Sequence, residues 1–247
     1  MTTFDPVRSG LALVVLLAIC LAVLSAARVH VRRDALIATT RAGIQLTLVA
    51  LVVAWVFTHP EGAVLYLALM LGAASFTSIR RIGCGRRYAP AIVGAIALGA
   101  LGAIVPVLAL GALDFNAQTI VPFTAQIIGG TMMATSLTGS RMRDDVAAGW
   151  GEVEGWLALG AAPRQAVTLQ SRRAVAHALI PALDQTRNAG LVTLPGAFVG
   201  LLLGGASPAE AAQVQLLVLV GLLAAESIAA VCTAYLLAPW LGSSRPG

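Results

Sequence analysis

Long apolar runs alternate along this chain with short polar stretches, and this alternation is its dominant pattern. A helix needs about 20 apolar residues to cross the hydrocarbon core of a bilayer, which is about 30 Å thick. The pattern therefore predicts an all-α polytopic membrane protein with about seven transmembrane helices in a single membrane domain, 1–247. The predicted helices cover residues 10–27, 42–58, 62–79, 90–113, 119–138, 189–206 and 212–238.

The first apolar run, 10–27, also has the length of a signal-peptide core, and small residues at its end fit a cleavage site. A signal peptide carries its positive charge before the apolar run. Here only Arg8 precedes the run, whereas Arg28, Arg32 and Arg33 follow it. The charges favour a retained helix, with cleavage left as the alternative.

The arginines predict the orientation. All 16 basic residues are arginine, and all except Arg8 lie in the loops 28–41, 80–89 and 139–188 or in the tail after 238. Positive residues concentrate in cytoplasmic loops. We therefore expect a multi-pass protein of the inner (plasma) membrane, with its N-terminus outside and its C-terminus in the cytoplasm.

Composition supports this class. Hydrophobic residues make up 58% of the chain and charged residues 11%, against roughly 25% charged residues in soluble domains. The basic pI near 9.9 follows from the loop arginines, so nucleic-acid binding is not expected. The cysteines and histidines are too scattered for a disulfide framework or a helical metal pair, and any metal ligands stay unknown. They are Cys20, Cys84, Cys232, His30, His59 and His177.

Polar groups inside predicted helices are candidate pathway residues. Glu226 lies near the middle of the last helix, where a carboxylate costs roughly 2.5–3.5 kcal/mol. It is either a substrate-cation or proton site, or a protonated acid bonded to a neighbouring helix. The fifth helix adds further candidates, although its methionines are also typical of packing. These are Gln126, Thr131, Met132 and Met133.

Small residues recur at four-residue spacing on two predicted helices. Such stripes let helix backbones approach closely in lipid. They predict either static packing or a sliding or dimer surface. The stripes are Ala91, Ala95 and Gly99 in the fourth helix, and Gly196, Gly200 and Gly204 in the sixth.

The predicted cytoplasmic segment 139–188 contains a short amphipathic helix that Gly160 ends. Pro163 then begins a second helix, expected to end before Pro181, because Pro favours helix starts and Gly favours helix ends. A nucleotide-binding P-loop requires lysine, and the chain has none. Since no hydrolase or metalloprotease motif appears either, the chain is not expected to be an enzyme.

Within this segment, the pattern E-x4-LGA-x4-A runs from Glu154 to Ala166 and resembles the coupling loop of ABC-transporter permeases. Three longer stretches resemble the FetB-type permeases, the family named for bacterial iron export. They are LGAAPRQA at 159–166, ALIPALDQTRNAGLVTLPGAFVG at 178–200 and GASPAEAAQVQ at 205–215. One departure is Gly130, where the family often has Asn.

The resemblance implies a permease that works as a homodimer with two copies of a separate ATP-binding subunit and exports iron or another metal. ATP and magnesium would be bound by that ATPase, and this chain would bind no cofactor of its own. The implied ATPase-coupling residues are Glu154, Trp156, Leu157, Leu159, Gly160, Ala161 and Pro163. Asp184, Arg187, Gly190 and Pro195 match the segment that leads into the sixth helix.

The alternative hypothesis is a secondary transporter, driven by an ion gradient through Glu226. It predicts transport by the purified protein alone, whereas an ABC permease requires its ATPase. Substrate identity and the direction of transport follow from the resemblance alone.

Overall fold

The computed structural model describes residues 5–29, 31–83, 85 and 88–244. His30, Cys84, Arg86, Arg87 and Arg245 lie outside this part of the chain. The described residues form ten α-helices. These are α1 Pro6–Ala26, α2 Arg32–Thr58, α3 Gly62–Ile82, α4 Ala89–Ala109, α5 Ala117–Ala148, α6 Trp150–Ala158, α7 Pro163–Ala166, α8 Thr168–Asn188, α9 Gly196–Leu203 and α10 Pro208–Leu241.

Contacts divide the chain, predicted as one domain, into two compact units, Met1–His59 and Pro60–Gly247. The first unit is the pair α1 and α2. The Asp5 carboxylate caps α1 by accepting hydrogen bonds from the backbone N–H groups of Val7 and Arg8, and Arg32 donates to Ser25 Oγ at 2.9 Å. α2 begins ten residues before the predicted start at 42, because its hydrogen-bonded backbone continues beyond the apolar run.

The second unit is built around α10, which packs against α4, α5 and α8. Close approach at Gly99 requires glycine: an added Cβ would lie 2.6 Å from the carbonyl oxygen of Ala225 and 2.9 Å from Thr131 Cγ2. The α4 stripe, which includes the fully buried Ala95, is therefore a packing surface within this chain.

One end of the second unit is closed by a hydrophobic cluster, which we call the end cluster. It contains residues from the end of α3, the start of α4, the end of α5 and the end of α10. The helices α6, α7 and α8 contribute the others. Its members include Ile82, Ile92, Met142, Val153, Ala174 and Leu241. The rings of Tyr88 and Trp240 stack beside it, with centroids 4.6 Å apart.

The polytopic all-α class is confirmed: among the described residues, six helices are long and apolar enough to cross a membrane, namely α1 to α5 and α10. The predicted sixth helix, 189–206, needs correction. Only Gly196–Leu203 is helical, which spans about 12 Å at 1.5 Å per residue. Gly190 adopts a left-handed φ of 80°, and Pro195 precedes α9 in an extended conformation, so the backbone is broken here.

α8 corrects a second expectation. The helix does not end before Pro181 but continues through it to Asn188. It packs along α5 and α10. Ser171 and Ala238 line one cavity at one end, and Thr186 and Leu219 line another at the other end. α8 therefore runs antiparallel to α10.

Candidate functional site

The predicted coupling segment forms a helix–turn–helix at the end cluster. α6 ends at Ala158, and Gly160 follows its C-cap with a φ of 88°, in the left-handed region that favours glycine. Gly160 N–H donates to Leu157 O at 2.9 Å and Ala161 N–H donates to Trp156 O at 3.0 Å, the hydrogen-bond pair of a Schellman C-cap. α7 then begins at Pro163. The predicted helix stop and start are both observed.

α6 has an inner and an outer face. Val153 is fully buried in the end cluster, and Leu157 packs against that cluster. In contrast, Trp156 is 52% exposed and Leu159 is 83% exposed, with the exposed Glu154 beside them. We call Glu154, Trp156 and Leu159 the α6 tip. Leu157, predicted with the docking residues, instead attaches the helix to the protein.

The attachment of α6 and α7 was not found by sequence reasoning. Val153 connects α6 to residues from α3, α4, α5 and α10 through the end cluster. Gly242, the C-cap of α10, is buried against the Pro163 carbonyl, where a Cβ would collide. The spacing of Val153 and Leu157, one helical turn apart, was the signal that could have found it. α6 is therefore attached to the helix bundle through α5, α7 and the end cluster.

The predicted pathway residues do not form one site. Thr131 is fully buried and its Oγ1 donates to Ile128 O at 2.9 Å. Met132 is partly buried against the core between α3, α4, α5 and α10, while Met133 is exposed. Gln126 lines a cavity of about 200 Å³ between α5, α9 and α10.

Glu226 is half-buried and faces Gly130 of α5. A Cβ at Gly130 would lie 2.6 Å from Glu226 Oε1 and 2.7 Å from Leu222 Cδ2, so glycine makes room for the carboxylate. Within the described residues Glu226 has no hydrogen-bond or ion-pair partner. No group of three or more His, Cys, Asp or Glu side chains there is arranged to hold a metal ion.

α8 has a buried side and an exposed side with charged residues. Its buried side consists of small or uncharged residues, Gln170, Ala174, Ala178 and Ala182. Its exposed side, which we call the α8 polar face, contains Arg173, His177, Asp184 and Arg187. Asp184 and Arg187 form an ion pair at 3.9 Å, with side chains 57% and 72% exposed respectively. The positions share one face because they recur at helical spacing.

The break between α8 and α9 borders a cavity of about 210 Å³, lined by residues that include Thr186, Gly190, Phe198 and Gln215. Gln215, which is buried, accepts a hydrogen bond from Phe198 N–H at 3.2 Å and so ties the start of α9 to α10. The predicted stripe of Gly196, Gly200 and Gly204 is exposed. Its role as a packing surface stays a prediction.

Comparison with known proteins places these features in a family. The profile of the uncharacterised protein family UPF0014 matches residues 8–240. The chain belongs to this family. Over 214 residues it is 35% identical to the UPF0014 membrane protein STAR2 of Oryza sativa subsp. japonica, covering 86% of this chain and 75% of that protein. Over 206 residues it is 32% identical to the protein ALUMINUM SENSITIVE 3 of Arabidopsis thaliana, covering 81% and 74%.

A third UPF0014 relative confirms the resemblance that the sequence motifs predicted. The probable iron export permease protein FetB of Escherichia coli (strain K12) is 27% identical over 240 residues, covering 96% of this chain and 92% of that protein. No solved structure matches the chain significantly.

Proposed function

We propose that this UPF0014 chain is the transmembrane permease subunit of an ABC transporter, which exports a metal ion such as iron using a separate ATPase subunit. The α6 tip is the observation that carries the proposal. Exposed Trp156 and Leu159 form an apolar projection on a helix that Val153 holds firmly to the bundle. The full-length similarity to a probable iron export permease supports the cargo.

The α6 tip suits a moving partner. In the orientation predicted from the arginines it faces the cytoplasm, where ATP is available. An ATPase dimer closes on ATP and opens after hydrolysis, and a helix held in its cleft moves with it. ATP and magnesium belong to that partner, since this lysine-free chain lacks a P-loop.

A homodimer is the expected assembly. Metal ions of the iron type bind carboxylate, imidazole and carbonyl ligands, and the described part of one chain has no cluster of such acids and histidines. Two copies would double the donors along a shared axis. The substrate cation would then be held by residues of both copies, surrounded by membrane lipid on the outside.

ATP hydrolysis by the protein in lipid with its candidate ATPase tests the proposal, with and without iron and other metals. We expect one metal to stimulate hydrolysis, and Glu154→Ala to remove most of that stimulation because the tip loses its charged contact. Asp114→Asn, an exposed change in the loop after α4, is the control. If the two proteins do not associate and no metal stimulates hydrolysis, the ABC proposal is wrong.

A second variant tests the shape of the turn. Gly160→Val places a β-branched side chain at a φ of 88°, a region that such residues avoid. We expect transport to be lost while membrane insertion is retained. Gly72→Val is the control, because Gly72 is helical in α3 and has open space around it. An equal loss of folded protein after membrane extraction would defeat the prediction.

Glu226 supports the second candidate, an ion-gradient-driven transporter. Its carboxylate lies beside Gly130 within a spanning helix, a position typical of functional groups. This candidate requires transport by the purified protein without ATPase, driven by an ion gradient and abolished by Glu226→Gln. Gradient-independent transport would exclude it.

A further inference from the structure

The α8 polar face lies alongside two candidate membrane spans, α5 and α10. Ser171 Oγ is 3.6 Å from Met142 Sδ, one turn beyond Gly139, which packs against Ile82 at the end of α3. Asp184 lies 13 residues further along α8, or roughly 20 Å at 1.5 Å per residue. That distance is about two thirds of the hydrocarbon thickness.

α10 gives the same depth independently. Along α10, the residues that line a cavity together with α8 change from Ala238, with Ser171, to Leu219, with Thr186. This interval of α10 belongs to a candidate membrane span with a mean hydropathy of 2.2. His177 and Asp184 therefore lie between the two ends of the spanning helices.

The α8 polar face is excluded from lipid by its own chemistry. Charged side chains inside a membrane face the bundle interior or a water-filled cavity, because hydrocarbon does not solvate them. Here the alanine side of α8 takes up the contacts with α5 and α10. The Asp184–Arg187 pair is left more than half exposed, so the described residues of the second unit do not cover it.

The broken backbone after α8 leads to the same conclusion. Gly190 and the following residues are non-helical up to Pro195. Such segments are tolerated where they are buried in protein or border water, and discontinuous helices form the substrate sites of many transporters. The break directly follows Asp184 and Arg187 on α8.

We propose that the α8 polar face lines a water-filled pathway through the membrane, with His177, Asp184 and Arg187 on its wall. This inference rests on the proposed transport function and names the surface that the cargo passes. The pathway residues of the fifth helix predicted from sequence are not needed for it, because Thr131 and Met132 are turned into the core.

Cysteine labelling in membranes tests the pathway without the ATPase. Single cysteines are introduced at His177 and Asp184 after the native cysteines are replaced by serine, and each variant is treated with a membrane-impermeant charged thiol reagent. Ala178→Cys is the buried control on the same helix. Leu101→Cys is the second control. Leu101 is exposed on the candidate span α4, so it is expected to face lipid.

We expect cysteines at 177 and 184 to react roughly tenfold or more faster than both controls, because only a hydrated thiol ionises to the reactive thiolate. Equal slow labelling at all four positions would overturn the pathway, since the face would then be covered by lipid or by another protein. Arg172→Cys, exposed near the start of the same helix, should also react if the chain is folded and accessible.

The proposed pathway and the proposed ABC function can be disproved independently of each other. If labelling is fast but no ATPase associates, the pathway stands and the ABC function does not. If the ATPase couples through the α6 tip but positions 177 and 184 stay unlabelled, the ABC function stands and the cargo passes elsewhere.

Discussion

α8 and α10 lie side by side and antiparallel, yet they meet their surroundings in opposite ways. α10 is predominantly apolar and buries residues against α4, α5, α8 and α9. α8 buries only one narrow stripe of alanines and a glutamine, and it exposes charged groups on its other side. A long apolar run therefore identifies a helix that is surrounded on all sides by lipid or protein core. It does not identify a crossing that faces water on one side.

The contact between α10 and α4 gives the largest expected effect. Gly99→Val would place a Cβ 2.6 Å from the Ala225 carbonyl and 2.8 Å from Ala229 Cβ, so the α10 backbone itself must shift. Overpacking of this kind costs about 3 kcal/mol. We expect a lower midpoint of unfolding in detergent on titration with SDS. Gly94→Val, with open space around it, should change little, and equal stability of the two would contradict the packing.

The alanine stripe of α8 gives an intermediate effect. Ala178 is 3% exposed, and Ala178→Leu would force α8 away from α5 and α10 at a cost of about 2 kcal/mol. The exposed Ala176→Leu is the matched control. If both variants unfold at the same SDS concentration, α8 does not pack against the bundle through this stripe, and the contrast with α10 is lost.

The smallest effect comes from the contact that fixes α7 to α10. The Arg164 guanidinium lies over the Tyr235 ring, 3.6 Å from its centroid, and such cation–π contacts contribute about 0.5–1 kcal/mol at exposed sites. We expect Arg164→Gln to lower stability by that amount. A double-mutant cycle with Tyr235→Leu measures the coupling, and additive losses would show that the contact contributes nothing.

The sequence predicted those parts of the fold that depend on a single property of the residues. Apolar length placed α1, α3, α4 and α10, while the conformational needs of Gly160 and Pro163 placed the end of α6 and the start of α7. Helix ends outside the apolar runs were missed. α2 starts at Arg32 and α5 continues to Ala148, since backbone hydrogen bonding does not stop where hydrophobicity does.

The candidate sites were harder to predict because they depend on which side of a helix packs against the rest of the protein. Trp156 and Leu157 are adjacent and both apolar, but one is exposed and the other packs against the end cluster. Thr131 is turned into contact with Gly99. Neither orientation follows from residue type alone, because each depends on neighbours distant in sequence.

The tryptophans at the end cluster make this region optically distinctive. The chain has four tryptophans, of which Trp150 and Trp240 border the end cluster, Trp156 lies on the α6 tip, and Trp55 belongs to α2. In a Trp55→Phe protein the three remaining tryptophans would lie at or beside the end cluster, and only Trp156 would belong to the proposed docking surface. Its fluorescence would shift to shorter wavelength as Trp156 loses water, so docking can be followed in real time without a label.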